Sequence, residues 1–447
     1  MPLGNGSRIA VIGGGPAGSL FSIFLLGLAE RTGRRLAVDI FEPRDFDLPG
    51  PAGCNMCGGI LSESLVQSLA ADGIGIPPTV VQRVIDSYVL HMDVGTVRIE
   101  PPRRDKRIAA VHRGGGPRGI GEPRWRSFDA HLLGLALERG AAAVRERVTG
   151  VGIDGGRPRV STEKGTRSGY DLLVGAVGVN TESLGLFEAL GTGFKAPGTT
   201  KAYVAEFFLG QETIGIHLGG AMHVFLLNLP RLEFAALIPK GEYVTAVLLG
   251  REIDKPLVDT FLSSPQVRAC FPRGWTPPAD FCRCSPAINI AGAEKPYADR
   301  VVIVGDCGVT RLYKDGIGGA YRTAKAAAAT AALEGVSEDD FRRHYLPVCM
   351  SLSSDNDVGK AIFRITGLIQ RMPHARRGLL RMTAAEQKSR AGTKRMSGVL
   401  WDTFTGSAPY RDVFRRFIHP LFLGRLIWET AAGALPARKR DLREGES

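Results

Sequence analysis

Three groups of residues in this 447-residue chain have the types and spacing for chemistry. The first is a glycine corner, Gly13-Gly14-Gly15-Pro16-Ala17-Gly18, with an acid, Glu42, downstream of it. The second is another corner far along the chain, Gly305-Asp306-Cys307-Gly308 followed by Asp315-Gly316-Ile317-Gly318-Gly319. Two thiol pairs, Cys54-Asn55-Met56-Cys57 and Cys282-Arg283-Cys284, form the third. Glycines at the first spacing permit a tight turn at Gly13, close approach of backbone to a pyrophosphate at Gly15 and close helix packing at Gly18. A helix opening there would aim unpaired N–H groups at phosphate. Thiolate pairs suit a tetrahedral metal or an iron–sulfur cluster, or exchange electrons as a dithiol, or are unrelated buried thiols; all three readings stand.

The elements that must position these residues are legible around them. Arg8 to Ile12 reads as an apolar strand, and an Ala- and Leu-rich helix runs from the corner to about Glu30. A second strand, Ala37 to Phe41, ends at Glu42, where a carboxylate can accept from a ribose diol. An acid there favours an unphosphorylated ribose, as in FAD or NAD. Arg300 to Val304 is a further strand running into Gly305-Asp306, and the second corner opens another Ala-rich helix. Asp306 could accept from a ribityl hydroxyl, and the helix starting near Ile317 would turn its positive end toward negative charge.

With Gly13, Gly15, Gly18, Glu42, Gly305-Asp306 and Gly316-Gly318 in this order, the chain resembles the superfamily of FAD-dependent monooxygenases and geranylgeranyl reductases over roughly residues 8 to 345. The resemblance implies FAD as cofactor, with Gly13, Gly15, Ala17, Gly18, Glu42, Gly305, Asp306, Gly316, Ile317 and Gly318 around it. It also implies an FAD-contacting arginine, Arg126 or Arg124, and a backbone contact to adenine at Val148, within Arg147-Val148-Thr149. Two stretches are similar to the geranylgeranyl reductase branch: Cys57-Gly58-Gly59, and Phe234 to Gly241 with its Pro239-Lys240-Gly241 ending. That branch implies hydride delivery from flavin N5 to an apolar isoprenoid or lipid substrate. Cys57 or a water would supply the proton, and Lys314 and Asp315 would stand at the flavin edge or else in a solvated loop. Gly175-Ala176-Val177-Gly178 lacks the acid that the superfamily's hydroxylases carry, which argues against their use of a nicotinamide.

The implied fold is α/β: a discontinuous Rossmann-type FAD-binding domain (1–78, 106–195 and 286–345), an antiparallel substrate domain (79–105 and 196–285) and a helical C-terminal region (346–447). Alternating apolar and polar residues from about Lys201 to Gly250 support the sheet. His217 and His223 in that stretch read as structural residues or pocket proton donors. Flavin monooxygenation or halogenation is the alternative within enzymes, and the lack of a tryptophan-rich motif argues against a halogenase. A membrane-docked flavin electron-transfer or lipid-binding protein is the alternative outside them, and a site for NAD alone is the plainest.

Composition bounds the partners. At 44% hydrophobic and 23% charged the chain can bury a large core, and its length calls for more than one domain. Seven cysteines, an odd number at irregular spacings, argue against a secreted disulfide framework. That, and the absence of a signal-like start, predicts a cytoplasmic protein. The longest apolar stretch, Leu20 to Ala29, is about half of what a bilayer crossing needs. Net charge is +12, with basic residues in excess after residue 360. No zinc-finger or RNA-recognition spacing accompanies it, so nucleic acid is excluded as a partner. Lys360 to Arg381 and Tyr410 to Trp428 mix apolar and basic residues. They fit either an anionic membrane face, peripheral on its inner side, or helices packed on the core. The remaining partner is an external electron donor, NAD(P)H or a redox protein. Arg438 to Ser447 is expected to lack order.

Overall fold

A strand that is apolar at every position has to be covered on both faces, and Arg8–Ile12 is, from Ile9 on. In the computed structural model, which describes residues 1–101, 107–120, 125–389 and 394–434, this strand lies inside a six-stranded sheet. Parallel neighbours are Ala37–Phe41 on one side and Leu172–Gly175 on the other. Ala142–Val144 and Val301–Ile303 extend the parallel part, and Tyr297–Ala298 closes one edge antiparallel. Arg124, the end of the 79–105 segment and the 438–447 tail lie outside the described residues.

Helices Pro16–Arg31 and Gly316–Ala329 pack against each other on this sheet. Small residues make the approach close: Gly305, with φ +75°, would place a Cβ 2.6 Å from that of Ala17. The two glycine corners therefore touch, although most of the chain separates them in sequence. Neither helix has a side-chain cap at its N-terminus, Gly15 and Asp315 being the capping positions. Their first N–H groups remain available to a ligand at the carboxyl ends of the strands.

The second layer is a seven-stranded sheet, in order Cys282–Cys284, Tyr203–Phe208, Tyr243–Gly250, Leu232–Lys240, Ala221–Phe225, Ser87–Met92 and Gly95–Ile99. It is antiparallel except where Ala221–Phe225 runs parallel to Ser87–Met92. Between two of the strands expected over about 201 to 250 lies the helix Gln211–His217, so His217 ends a helix and is not a strand residue. One face of the sheet carries Glu206, Ile238, Lys240 and Thr245 toward the Rossmann layer. The opposite face, with Phe207, Phe225, Leu237 and Ala246, is covered by Gln211–His217, Lys255–Ser263 and Pro265–Arg268.

After the capping box of Ser337 and Asp340 the chain is helical: Glu338–His344, Leu346–Arg371, Pro373–Lys388, Arg395–Thr405, Tyr410–Phe417 and Pro420–Ala434. Pro420 starts a new helix, as a residue without an N–H can only do at a first turn. Tyr410, Val413 and Phe422 are buried in the apolar cluster shared by the C-terminal helices and the sheet, while Ile427 and Trp428 face outward. Among the described residues, no helix is long and apolar enough to cross a membrane.

Candidate cofactor cavity

A cavity of about 460 Å³ opens where the two corners meet. Its walls include Gly13, Gly15, Ala17 and Glu42 from the first half of the chain, and Asp306, Gly316 and Ile317 from the second, with Val148 at one end. Gly18 and Gly305 stand behind it as packing contacts. A Cβ on Gly18 would fall 1.9 Å from the Gly13 carbonyl oxygen, and a Cβ on Gly13 would fall 2.5 Å from that of Ala176. A Cβ on Gly15 would meet only ordinary van der Waals contacts, 3.7 Å from Asn55 Nδ2 and 3.9 Å from Arg113 Nη2. Gly318 sits under Asp315, whose carboxylate would lie 2.2 Å from an added Cβ.

The charge at Gly15 comes from a residue that the motifs did not single out. Arg113 is mostly buried and donates to both oxygens of Asp129, at 2.9 and 2.8 Å, and Asp129 has no exposure. Burial works against the guanidinium charge, but Asp129 outweighs it, so Arg113 stays protonated. Asn55 bridges Asp129 and Arg44, and Arg44 pairs with Glu42 at 3.0 Å. Glu42 also accepts from the Gly14 N–H at 3.1 Å. This network runs along one wall of the cavity, and only its last member, Glu42, was legible as a motif.

Arg126, expected to hold the cofactor, does not reach the cavity. It is exposed, and its guanidinium lies over Gly134 on the outside of the helix Phe128–Glu138. Ser127 caps that helix, so Arg126 points away from the side on which Asp129 faces inward. The cavity wall is lined instead by Arg113, on the loop after the strand Ile108–Val111.

Asp306 is partly buried, and its Oδ1 is withdrawn from solvent without a hydrogen-bond partner. Burial pushes its carboxyl up, Arg113 opposing. Lys314 and Asp315 are also buried, which rules out the solvated loop, yet neither lines the cavity. The Asp315 carboxylate meets Arg311 at 3.2 Å and Arg322 at 3.5 Å. The Lys314 amine turns toward the C-terminal helices, 4.3 Å from the ring centre of Phe404 and 4.9 Å from that of Phe234. The positive φ of Asp315, 54°, turns the chain so that these side chains face back from the helix entrance.

Cys57 lies one residue beyond the wall formed by Cys54, Asn55 and Met56, and its sulfur accepts from the Gly59 N–H. The loop 54–59 rests on the inner face of the seven-stranded sheet, where Gly58 meets Val247 and Ile238. There Glu206 gathers Lys240 Nζ at 3.5 Å, His112 Nδ1 at 3.6 Å and Thr245 Oγ1 at 2.9 Å. Burial pushes the Glu206 carboxyl up, but Lys240 and His112 outweigh it and hold it ionised. His112 is pushed down to about 4 by burial and stacks on Trp125. Cys282 pairs across from Glu206 and Cys284 from Val204, so both thiols reach the same face as Cys54. Burial pushes Cys54 up to about 11 and Cys284 up to about 12, which makes both poor thiolates. All four are free, and among the described residues they do not supply three mutually close ligand atoms. His223 faces the other side of the sheet, away from the cavity, and cannot donate a proton into it.

No family model matches the chain, and no curated protein does. Solved structures do match its fold. A point mutant of the halogenase PltM, in complex with FAD, aligns over 97% of this chain and 97% of its own with TM-score 0.61 and 12% identity. The flavin-dependent brominase Bmp2 covers 92% of this chain and 99% of its own at TM-score 0.56 and 15% identity. For 2-methyl-3-hydroxypyridine-5-carboxylic acid oxygenase the figures are 84%, 93%, 0.55 and 16%. What this chain shares with them is the fold, here an α/β layer, an antiparallel sheet and a helical C-terminal region.

Proposed function

We propose that the protein is an FAD-dependent oxidoreductase that oxygenates an organic substrate. The observation that carries the reading is the one cavity to which Gly15 and Asp306 both contribute, with the Arg113 guanidinium beside Gly15. FAD fits these donors: the helix end at Gly15 and the Arg113 guanidinium suit its pyrophosphate, Glu42 its adenosine ribose, and Asp306 a ribityl hydroxyl. Bound there, it would supply a two-electron redox centre. The chain's own residues bind, orient and exclude water. Arg113 holds positive charge beside Gly15 with little exposure, and Val177 replaces an acid at the cavity wall. On the sheet face, the Glu206 carboxylate holds the Lys240 ammonium beside a neutral His112.

Oxygenation is preferred to alkene reduction because proteins sharing the fold over most of their length are named as halogenases and an oxygenase. Reduction of an isoprenoid or lipid is the second reading, favoured by one observation. A small apolar void, about 50 Å³, lies between the sheet and the C-terminal helices, lined by Leu226, Ile362, Ile365, Val399, Leu400 and Phe404.

The deciding experiment begins with the absorption spectrum of the purified protein and mass spectrometry of copurifying small molecules. The protein is then reduced anaerobically with NAD(P)H or dithionite, mixed with such a ligand and exposed to labelled dioxygen. One labelled oxygen in the product supports oxygenation. A product heavier by two hydrogens, formed without oxygen, supports reduction. A colourless protein that binds NAD and not FAD overturns both.

A further inference from the structure

The outer face of the seven-stranded sheet carries a cluster that the cavity does not use. His91 and His223 stand on the parallel neighbours Ser87–Met92 and Ala221–Phe225, with His91 Nε2 2.9 Å from His223 Nδ1. Cys270 follows the short helix Pro265–Arg268, its Sγ 3.3 Å from His223 Nδ1 and 3.8 Å from His91 Nε2. All three are buried in the apolar cluster beneath the helices that cover this face.

We propose that His91, His223 and Cys270 bind one soft d10 metal ion, zinc(II) or copper(I), that pins the segment after Pro265–Arg268 to the back of the sheet. Ligands at ~2.0–2.1 Å for nitrogen and ~2.3 Å for sulfur around a tetrahedral ion lie ~3.3 Å apart for two nitrogens and ~3.5 Å for nitrogen and sulfur. The three observed separations are within ~0.4 Å of these values, which side-chain adjustment covers.

Hydrogen bonding points the same way. His223 Nε2–H donates to the Leu218 carbonyl at 3.3 Å, as the second ring nitrogen of a metal-bound histidine commonly does. That leaves His223 Nδ1 with a single lone pair facing both the His91 ring and the Cys270 thiol. Without an ion, the His91 N–H and the Cys270 thiol both face it, the thiol having the Gln266 carbonyl at 3.5 Å as its other acceptor. With one, each of the three atoms contributes a lone pair of its own. His91 Nδ1 has no partner, and that ring is held by stacking on Phe225 at 4.6 Å. Burial holds His91 down at about 3 and His223 at about 4, so both rings are neutral ligands near pH 7. The Cys270 thiol, pushed up to about 12 by burial, releases its proton to solvent as the metal–sulfur bond forms.

Charge separates the two ions. Among the described residues no carboxylate joins the set, and the cation acting on His223 is Arg98. One thiolate neutralises copper(I) completely, and a trigonal site satisfies it. Zinc(II) would keep a positive charge in an apolar setting unless a hydroxide completes its shell.

The test uses the full chain, reduced and stripped with a chelator, and reads metal binding alone, so its outcome is independent of the flavin assignment. Cobalt(II) is titrated as a spectroscopic stand-in, then zinc(II) and, without oxygen, copper(I), each against a chromophoric competitor. The expected result is one equivalent, a thiolate-to-cobalt charge-transfer band and release of one proton. Cys270→Ser should abolish the band and His223→Ala should weaken binding at least 10-fold, while Cys54→Ser/Cys282→Ser retains both. Circular dichroism reports folding, and His91→Gln serves as the ligand variant if Cys270→Ser does not fold. Tighter binding of either ion supports the site and names its occupant. Absence of the thiolate band in the folded wild-type protein, or a band that survives in every folded ligand variant, overturns it.

Discussion

Replacing Lys314 by Met should stabilise the protein, and by more at low pH than at high. The Lys314 amine is buried and has no hydrogen-bond acceptor. Burial, with Arg311 adding to it, holds its pKa well below the ordinary value of 10.5. The unfolded chain keeps an ordinary lysine, so between the two pKa values the unfolded state binds one more proton than the native state. Stability then rises with pH across that window, by about 1.4 kcal/mol per pH unit. Below the folded pKa both states are charged and the whole cost opposes folding; above about 10.5 neither is charged and it vanishes. The rings of Phe404, Phe234 and Phe363, at 4.3, 4.9 and 5.7 Å, return part of the cost. At about 0.5–2 kcal/mol per ring, they do not cancel the several kcal/mol of desolvating an ammonium with no anion. Met has a similar volume and no charge, so Lys314→Met should gain several kcal/mol at the acid end of the window and progressively less toward pH 10. Urea unfolding of both proteins from pH 6 to 9 measures the difference. A gain that stays flat with pH, or a loss of stability that grows as pH falls, would refute the reasoning and mean that the rings hold a charged ammonium in place. FAD content should not change, because Lys314 does not line the cavity.

The other predictions concern the cavity wall. Arg113→Ala leaves Asp129 buried without its counter-charge, which should cost about 3–5 kcal/mol and lower FAD retention after gel filtration; adding Asp129→Asn should restore part of the stability but not the FAD. Arg126→Ala, by contrast, should change stability by less than about 0.5 kcal/mol and keep a full complement of flavin, read as absorbance per chain. Gly18→Val would force a side chain into the Gly13 carbonyl, so soluble protein without flavin, or no soluble protein, is expected on expression; a yellow, stable variant would contradict the packing described for that turn.

Some of this was open to reading from the chain. A glycine corner between an apolar strand and an apolar helix has few folded solutions, and Gly13, Gly18 and Gly305 occupy places where a Cβ would strike the polypeptide itself. Those constraints are local, or involve one neighbouring element, and they leave a mark in residue type. Arg113 left none. Its role depends on Asp129 being turned inward by the cap at Ser127, on Asn55 arriving from another loop, and on the cavity lying on that side. Arg126 looked equivalent because it adjoins the same helix, and the direction in which a helix faces is fixed by packing, not by adjacency.

The sequence by itself determined the layered α/β plan, the two cofactor-facing corners and the helical C-terminal region, because backbone sterics and hydrophobic periodicity act over a few residues at a time. Tertiary structure decided which charges face the cavity, which thiols are protonated, where Lys314 points and that His91, His223 and Cys270 meet. Those outcomes depend on desolvation and on distances between side chains remote along the chain, and both quantities exist only once the layers have closed on each other.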